Sequence, residues 1–143
     1  MVMSVREHQL FGQDHVRAYR ESGGAVGGRW KRGTSILLLT TRGSRSGEER
    51  TSPLIYRPDG DRWVIVASKG GSPQHPAWFR NIEAHPDAIS IQVGDEVIPV
   101  QATVAEGQER ERLWRLMAEV WPDYDAYAQR TDRDIPVVVL SRR

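Results

Sequence analysis

The sequence predicts an α+β fold built on a mainly antiparallel sheet. Six short apolar runs recur along the chain, at residues 36–41, 53–56, 63–67, 88–93, 97–104 and 136–141. Neighbouring runs are joined by turns too short for a crossover helix, as at Pro58-Asp59-Gly60-Asp61 and Gly94-Asp95. The helical patterns seldom fall where a βαβ unit would need them, which disfavours a parallel sheet.

Taken in order, residues 4–22 read as a first helix. Ser4 serves as its cap, Val5, Phe11, Val16 and Tyr19 form a broken apolar stripe, and Gly23-Gly24 stops it. Residues 23–33 read as a flexible turn anchored by Trp30; its glycines match neither the phosphate-loop nor the dinucleotide pattern. The first strand follows, and the link at 42–50 is rich in glycine and serine and carries Arg42, Arg45 and Arg50. After the third strand, Ser72-Pro73-Gln74-His75-Pro76 leads into a short helix at 77–85. Trp78, Phe79 and Ile82 share one side of it, Pro76 starts it and His85-Pro86 ends it. Ile89, Ile91 and Val93 alternate with Ser90 and Gln92, the period of a half-buried strand. Residues 108–120 are the clearest helix, with Leu113, Leu116, Met117 and Val120 at helical spacing. The aromatic stretch 121–127 and a last strand complete the chain. We expect one domain over 1–143, with residues 1–22 as a helix able to move against it.

Composition narrows the function. Zero cysteines exclude disulfides, thiolate metal sites and a cysteine nucleophile. The start of the chain lacks the apolar stretch of a signal peptide, and no run approaches the ~20 residues that span a bilayer. A cytoplasmic location is therefore expected, with contact between the amphipathic start and a membrane surface left open. The net charge is +1, yet it is unevenly placed. Residues 29–50 hold six cations against Glu48 and Glu49, whereas 105–134 hold eight carboxylates against five arginines. A basic first half suits an anionic partner. So small a net charge and scattered tryptophans argue against nucleic acid.

Two turns could grip such an anion. Ser44, Arg45, Ser46, Gly47 and Arg50 form one; Ser68, Lys69, Gly70 and Gly71 form the other. Phosphate needs donors on several sides, and bare glycine backbone, hydroxyls and cations provide them; the alternative is two solvated turns. Trp78 and Asn81 on the short helix could complete a ligand pocket or simply serve as core and surface. Tyr124 and Tyr127, three apart, could project together, and a phenol with a pKa near ~10 stays protonated as a donor. The alternative there is a hydrophobic lid. The histidines lack metal spacing and are expected at the surface or at helix ends, and no metal site is expected. No serine-hydrolase elbow occurs.

Three stretches, LLLTTRGSRSGEERTSPLIY, VIVASKGGSPQHPAWFRNIEAHP and RLWRLMAEVWPDYDAYAQRTDRDIPVVVL, together resemble the deazaflavin (coenzyme F-420)-dependent nitroreductase and quinone reductase family. The resemblance implies a split β-barrel of the FMN-binding type, with about six strands and flanking helices. It implies hydride transfer from reduced F-420, an 8-hydroxy-5-deazaflavin, to a quinone, nitroaromatic or enone. The alternative is a carrier of deazaflavin or FMN with little turnover. By the resemblance, Ser44, Arg45, Ser46, Gly47 and Arg50 hold the coenzyme's phosphate and acidic tail. Pro53, Leu54, Tyr56, Ala67, Ser68, Lys69 and Gly70 line the ring, and Pro76, Trp78 and Asn81 complete the pocket. Tyr124 and Tyr127 flank the acceptor, with Tyr124 the first choice as donor to the developing oxyanion. The chain departs from nitro-reducing members at Ile55 and Trp121, where they carry tyrosines, which favours a quinone. Oligomeric state is left open.

Overall fold

The computed structural model describes residues 9–143. The expected cap Ser4, with Val5 and His8, lies outside them. Six strands form a closed antiparallel barrel in the order β1-β2-β3-β6-β5-β4, with β4 pairing back onto β1. In chain order they are β1 (Ser35–Arg42), β2 (Glu49–Asp59), β3 (Arg62–Val66), β4 (Ser90–Val93), β5 (Glu96–Val104) and β6 (Val137–Arg142). The helices are α1 (Gly12–Ser22), α2 (Ala77–Ala84), α3 (Gly107–Val120) and α4 (Asp123–Arg130). This is the split-barrel architecture.

Period-2 alternation sorts the strand side chains into an inside and an outside. Leu37, Leu39, Ile65, Ile91, Ile98, Val100, Val138 and Leu140 fill the barrel, and α2 plugs it with Trp78, Phe79 and Ile82. The opposite faces are apolar too. Val64, Val66, Val137 and Val139 pack under Leu113 and Met117 of α3, and each such side chain contributes about 1.5–3 kcal/mol by leaving water. Ile36 and Leu38 pack under Val16 and Tyr19 of α1. The Tyr19 hydroxyl fastens α1 to the β4–β5 turn, accepting from Gly94 N at 2.9 Å and donating to Gln92 O at 3.2 Å.

Three segments differ from the expectations. The β1 and β2 strands run further than their apolar cores, so Arg42 and Arg50 lie in strands that pair through Thr41↔Arg50 and Arg42↔Glu49. Residues 23–33, expected to be flexible, are tied down. Trp30 donates its indole N–H to Leu10 O at 3.0 Å, and Ile36 N donates to Gly28 O at 2.9 Å. The aromatic stretch after Pro122 becomes the full helix α4, because Tyr124 packs on the α3 side of the barrel.

The feature that places the site is a divergence of strands. The β2 strand pairs with β1 from Glu49 to Tyr56 but with β3 only at Arg57↔Val64, Pro58↔Trp63 and Asp59↔Arg62. Beyond those pairs the two strands separate. Pro53 sits in this part, paired with Leu38 of β1 on one side and without a β3 partner on the other, a half-paired position that suits a residue lacking an N–H.

Candidate active site

A cavity of about 390 Å³ occupies this divergence. One lip is Pro53, Leu54 and Ile55 of β2; the other is Val66 at the end of β3 with Ser68, Lys69 and Gly70. Pro76 and Trp78 from the start of α2 line it further, and Tyr124 and Tyr127 of α4 face it with Trp121. From the N-terminal side come His15 of α1, Trp30, and Leu10 and Phe11 at its border. Phe11 is 81% exposed. The walls are mostly apolar and aromatic, as in sites for flat organic ligands.

The turn after β3 is built from unusual backbone. Lys69, Gly70 and Gly71 have φ of 45°, 62° and 81° in succession. Gly71 N and Ser72 N donate to Ser68 O and Lys69 O, and Ser68, Lys69 and Gly70 line the cavity. Gly71 must be glycine, because a Cβ there would lie 2.7 Å from Tyr127 O. Arg133 holds the turn from behind: Nε donates to Ser72 O at 2.7 Å, Nη2 to Ser68 O at 2.7 Å and Nη1 to Ala67 O at 3.2 Å.

The other expected anion turn is exposed from Ser44 to Glu48 and does not line the cavity. It is tightly folded, with Gly43 N donating to Glu48 O, Gly47 N to Gly43 O and Glu48 N to Ser46 Oγ. Arg50 pairs with Glu48 at 3.1 Å, whereas Arg45 makes no ion pair among the described residues. Asn81 lies behind this turn rather than at the cavity. It is buried, its amide N donates to Thr41 Oγ1 at 3.1 Å and its carbonyl accepts from Ser44 N at 2.9 Å. Tyr56 and Ala67 pack with the barrel interior, and burial raises the Tyr56 pKa. The structure thus gathers Pro53, Leu54, Ser68, Lys69, Gly70, Pro76, Trp78, Tyr124 and Tyr127 at one cavity. It sets Ser44, Arg45, Ser46, Gly47 and Arg50 on a separate surface turn, with Asn81 joining that turn to α2.

Tyr124 is 5% exposed. Burial, and secondarily neighbouring Tyr127, raise its pKa, so the phenol keeps its proton. The two tyrosine rings meet edge to face at 6.1 Å. Tyr127 Oη accepts from Trp121 Nε1 at 3.3 Å, which leaves its own proton to point elsewhere. Trp121 in turn stacks on Trp30 at 5.8 Å, with the Arg32 guanidinium 4.3 Å from its ring centre.

His15 corrects one expectation. It is 2% exposed rather than at the surface, and its Nε2 lies 2.7 Å from Gly27 O. Along with Trp30, Ile36, Val66 and the border residues 10–12, it was absent from the expected site. The α1 periodicity offered the only signal, since His15, Val16 and Tyr19 face one way. Among the described residues no helix is long and apolar enough to cross a membrane.

A family model described as F420H(2)-dependent quinone reductase matches residues 11–142. A protein of that name from Mycobacterium tuberculosis is 41% identical over 132 residues, covering 90% of this chain and 88% of the relative. A solved structure titled as an F420-H2 dependent reductase is 44% identical with a TM-score of 0.67, covering 74% of this chain and 93% of that one. A second, described as a domain-swapped dimer, is 37% identical with a TM-score of 0.71, covering 96% and 97%. With the match running from the border of the cavity through the last strand, this chain belongs to the F-420-dependent quinone reductase family, oxidoreductases that use the reduced deazaflavin coenzyme.

Proposed function

We propose that this protein transfers a hydride from reduced F-420 to a quinone, with the coenzyme ring on the Lys69 side of the cavity and the acceptor beneath α4. The observation that carries the reading is that one mostly apolar cavity is lined both by Ser68, Lys69 and Gly70 of the turn and by the neighbouring Tyr124 and Tyr127 of α4. Bound there, the coenzyme supplies two electrons as hydride, so the chain needs no nucleophile.

The chain's own work is to bind, orient and donate. Lys69 and the Lys69 and Gly70 amides offer charge and donors to polar edges of the coenzyme, while Pro53, Leu54, Pro76 and Trp78 give its ring apolar walls. Arg45 and the neighbouring Ser44, Ser46, Gly47 and Arg50 form a separate basic surface for the phosphate and acidic tail. Holding donor and acceptor about 3–3.5 Å apart removes much of the entropic barrier. A quinone that accepts hydride develops an oxyanion, and Tyr124, kept protonated by burial, donates to it. A proton from solvent then completes the hydroquinone.

Ile55 and Trp121 both line the cavity. Their apolar faces replace two phenols expected of nitro-reducing relatives, which supports a quinone over a nitroaromatic as acceptor. The test is anaerobic: purified protein, reduced F-420 and a panel of quinones, nitro compounds and enones, followed by the returning absorbance of oxidised coenzyme. Quinone-dependent oxidation exceeding that of the nitro compounds is expected. Tight coenzyme binding with no acceptor turnover would instead identify a carrier and overturn the reading.

A further inference from the structure

We propose that Arg133 is a positioning residue that clasps the 67–72 turn to α4 and so sets the spacing between the coenzyme wall and the tyrosine donors. The inference rests on the functional reading above, but the clasp itself is visible without any ligand. Arg133 follows α4 in the chain, and its fork closes on Ala67 O, Ser68 O and Ser72 O at 2.7–3.2 Å. Nη1 also donates to His75 Nδ1 at 3.0 Å. No carboxylate pairs with it among the described residues, so its charge is met by carbonyl dipoles of the turn itself. A planar guanidinium can reach several acceptors at once, whereas an ammonium offers a single point.

The turn has reason to need holding. Three consecutive residues adopt left-handed backbone, and the first, Lys69, carries a side chain. The same turn touches α4 directly, since Gly71 has room for hydrogen only against the Tyr127 backbone. Arg130 adds a bond from Nη1 to Gly70 O at 3.4 Å. Turn and helix are therefore clamped at three points, and one bears the reactive wall, the other both phenols. Misplacement of reacting groups by about 1 Å can cost on the order of 10²-fold in rate.

A second arginine supplies the control. Arg143 makes a similar fan, to Val100 O at 3.2 Å, Pro86 O at 2.7 Å and Asp87 at 3.2 Å, among residues outside the cavity lining. Arg133→Ala, Arg133→Lys and Arg143→Ala would be compared by amide hydrogen exchange of the ligand-free proteins and by steady-state kinetics with reduced F-420 and a quinone. Arg133→Ala is expected to speed exchange at Gly71 and Ser72 at least about tenfold. It should lower kcat by about 10–100-fold with a smaller change in the KM for coenzyme. Added guanidinium should restore part of both, and Arg133→Lys should not. Arg143→Ala should lower Tm while leaving kcat and exchange at 71–72 as in the wild type.

Unchanged exchange in Arg133→Ala overturns the clasp. Faster exchange with unchanged kcat, or an equal kcat loss in Arg143→Ala, overturns its positioning role. Should Arg133→Ala fail to fold, Gly71→Ala tests the same spacing from the other side, and a wild-type kcat there sinks the proposal. Failure of the wild type to oxidise reduced F-420 brings down the functional reading instead, and the exchange measurement still decides whether Arg133 holds the turn.

Discussion

Tyr124 has little solvent contact, and its chemistry follows from that. Burial raises its pKa, so the phenol holds its proton at neutral pH and is available as the proposed donor. Tyr124→Phe should lower kcat with quinones by about 10²–10³-fold, as loss of one preorganised donor does, while coenzyme affinity from fluorescence titration stays near wild type. Lys69 and Arg45 differ in kind, being exposed cations. Their effect is Coulombic and screened by salt. Lys69→Ala and Arg45→Ala should each weaken coenzyme binding about 5–20-fold at low ionic strength, with a flatter dependence on added salt. An unaltered salt slope in both would remove them from the coenzyme site.

At the scale of elements, a charged cluster joins the β2–β3 turn to α3. Asp59 accepts from Arg112 at 2.9 Å and 3.1 Å and from Arg62 at 2.6 Å, and Glu109 bridges both arginines. Arg112 first, then Arg62, holds the Asp59 carboxyl down at about 2 against an ordinary 3.8. Because the folded value is depressed, this contribution is present above the ordinary value and is lost as pH falls from there towards about 2. Allowing for solvent around the arginines, Asp59→Asn should cost about 1–2 kcal/mol at pH 7 by urea denaturation, with the gap from wild type closing as the solution is acidified below pH ~4.

The elements also show what a sequence can disclose. The strands were legible because a barrel buried on its inside and covered on its outside needs apolar runs, and Leu37, Leu38 and Leu39 supply one directly. The helix α3 was legible from its stripe. Strand ends were not, since Arg42, Glu49 and Arg50 are polar and join β1 and β2 only through backbone pairing. Within the cavity lining, turn residues such as Ser68, Lys69 and Gly70 stood out by composition, and Tyr124 and Tyr127 by their spacing, to which the resemblance added a role. His15 showed only in the α1 periodicity and Trp30 only as an anchor of its turn; neither marked the cavity, which they line only once the chain has folded. Arg133 was equally hidden, as one arginine among many until its fork closes on the turn.

For the molecule as a whole, the division of labour is between a closed ring and what hangs on its outside. Ile65 lies inside the ring and outside the cavity lining: Ile65→Ala should cost about 2–5 kcal/mol in stability by removing packed volume, without a specific effect on kcat in the protein that remains folded. A ring of strands normally has no free edge, yet in this one β2 and β3 pair only at residues 57–59 and diverge beyond, where the cavity lies. Such a parting is an invitation to self-association, since unpaired strand backbone can recruit the same segment from a neighbour. Pro53 stands in the gap and offers no amide hydrogen to extend a ladder. Pro53→Val should therefore raise light scattering of the concentrated protein, and bound coenzyme should suppress it. A side chain closed onto its own nitrogen is thereby expected to keep one molecule from being stitched to the next.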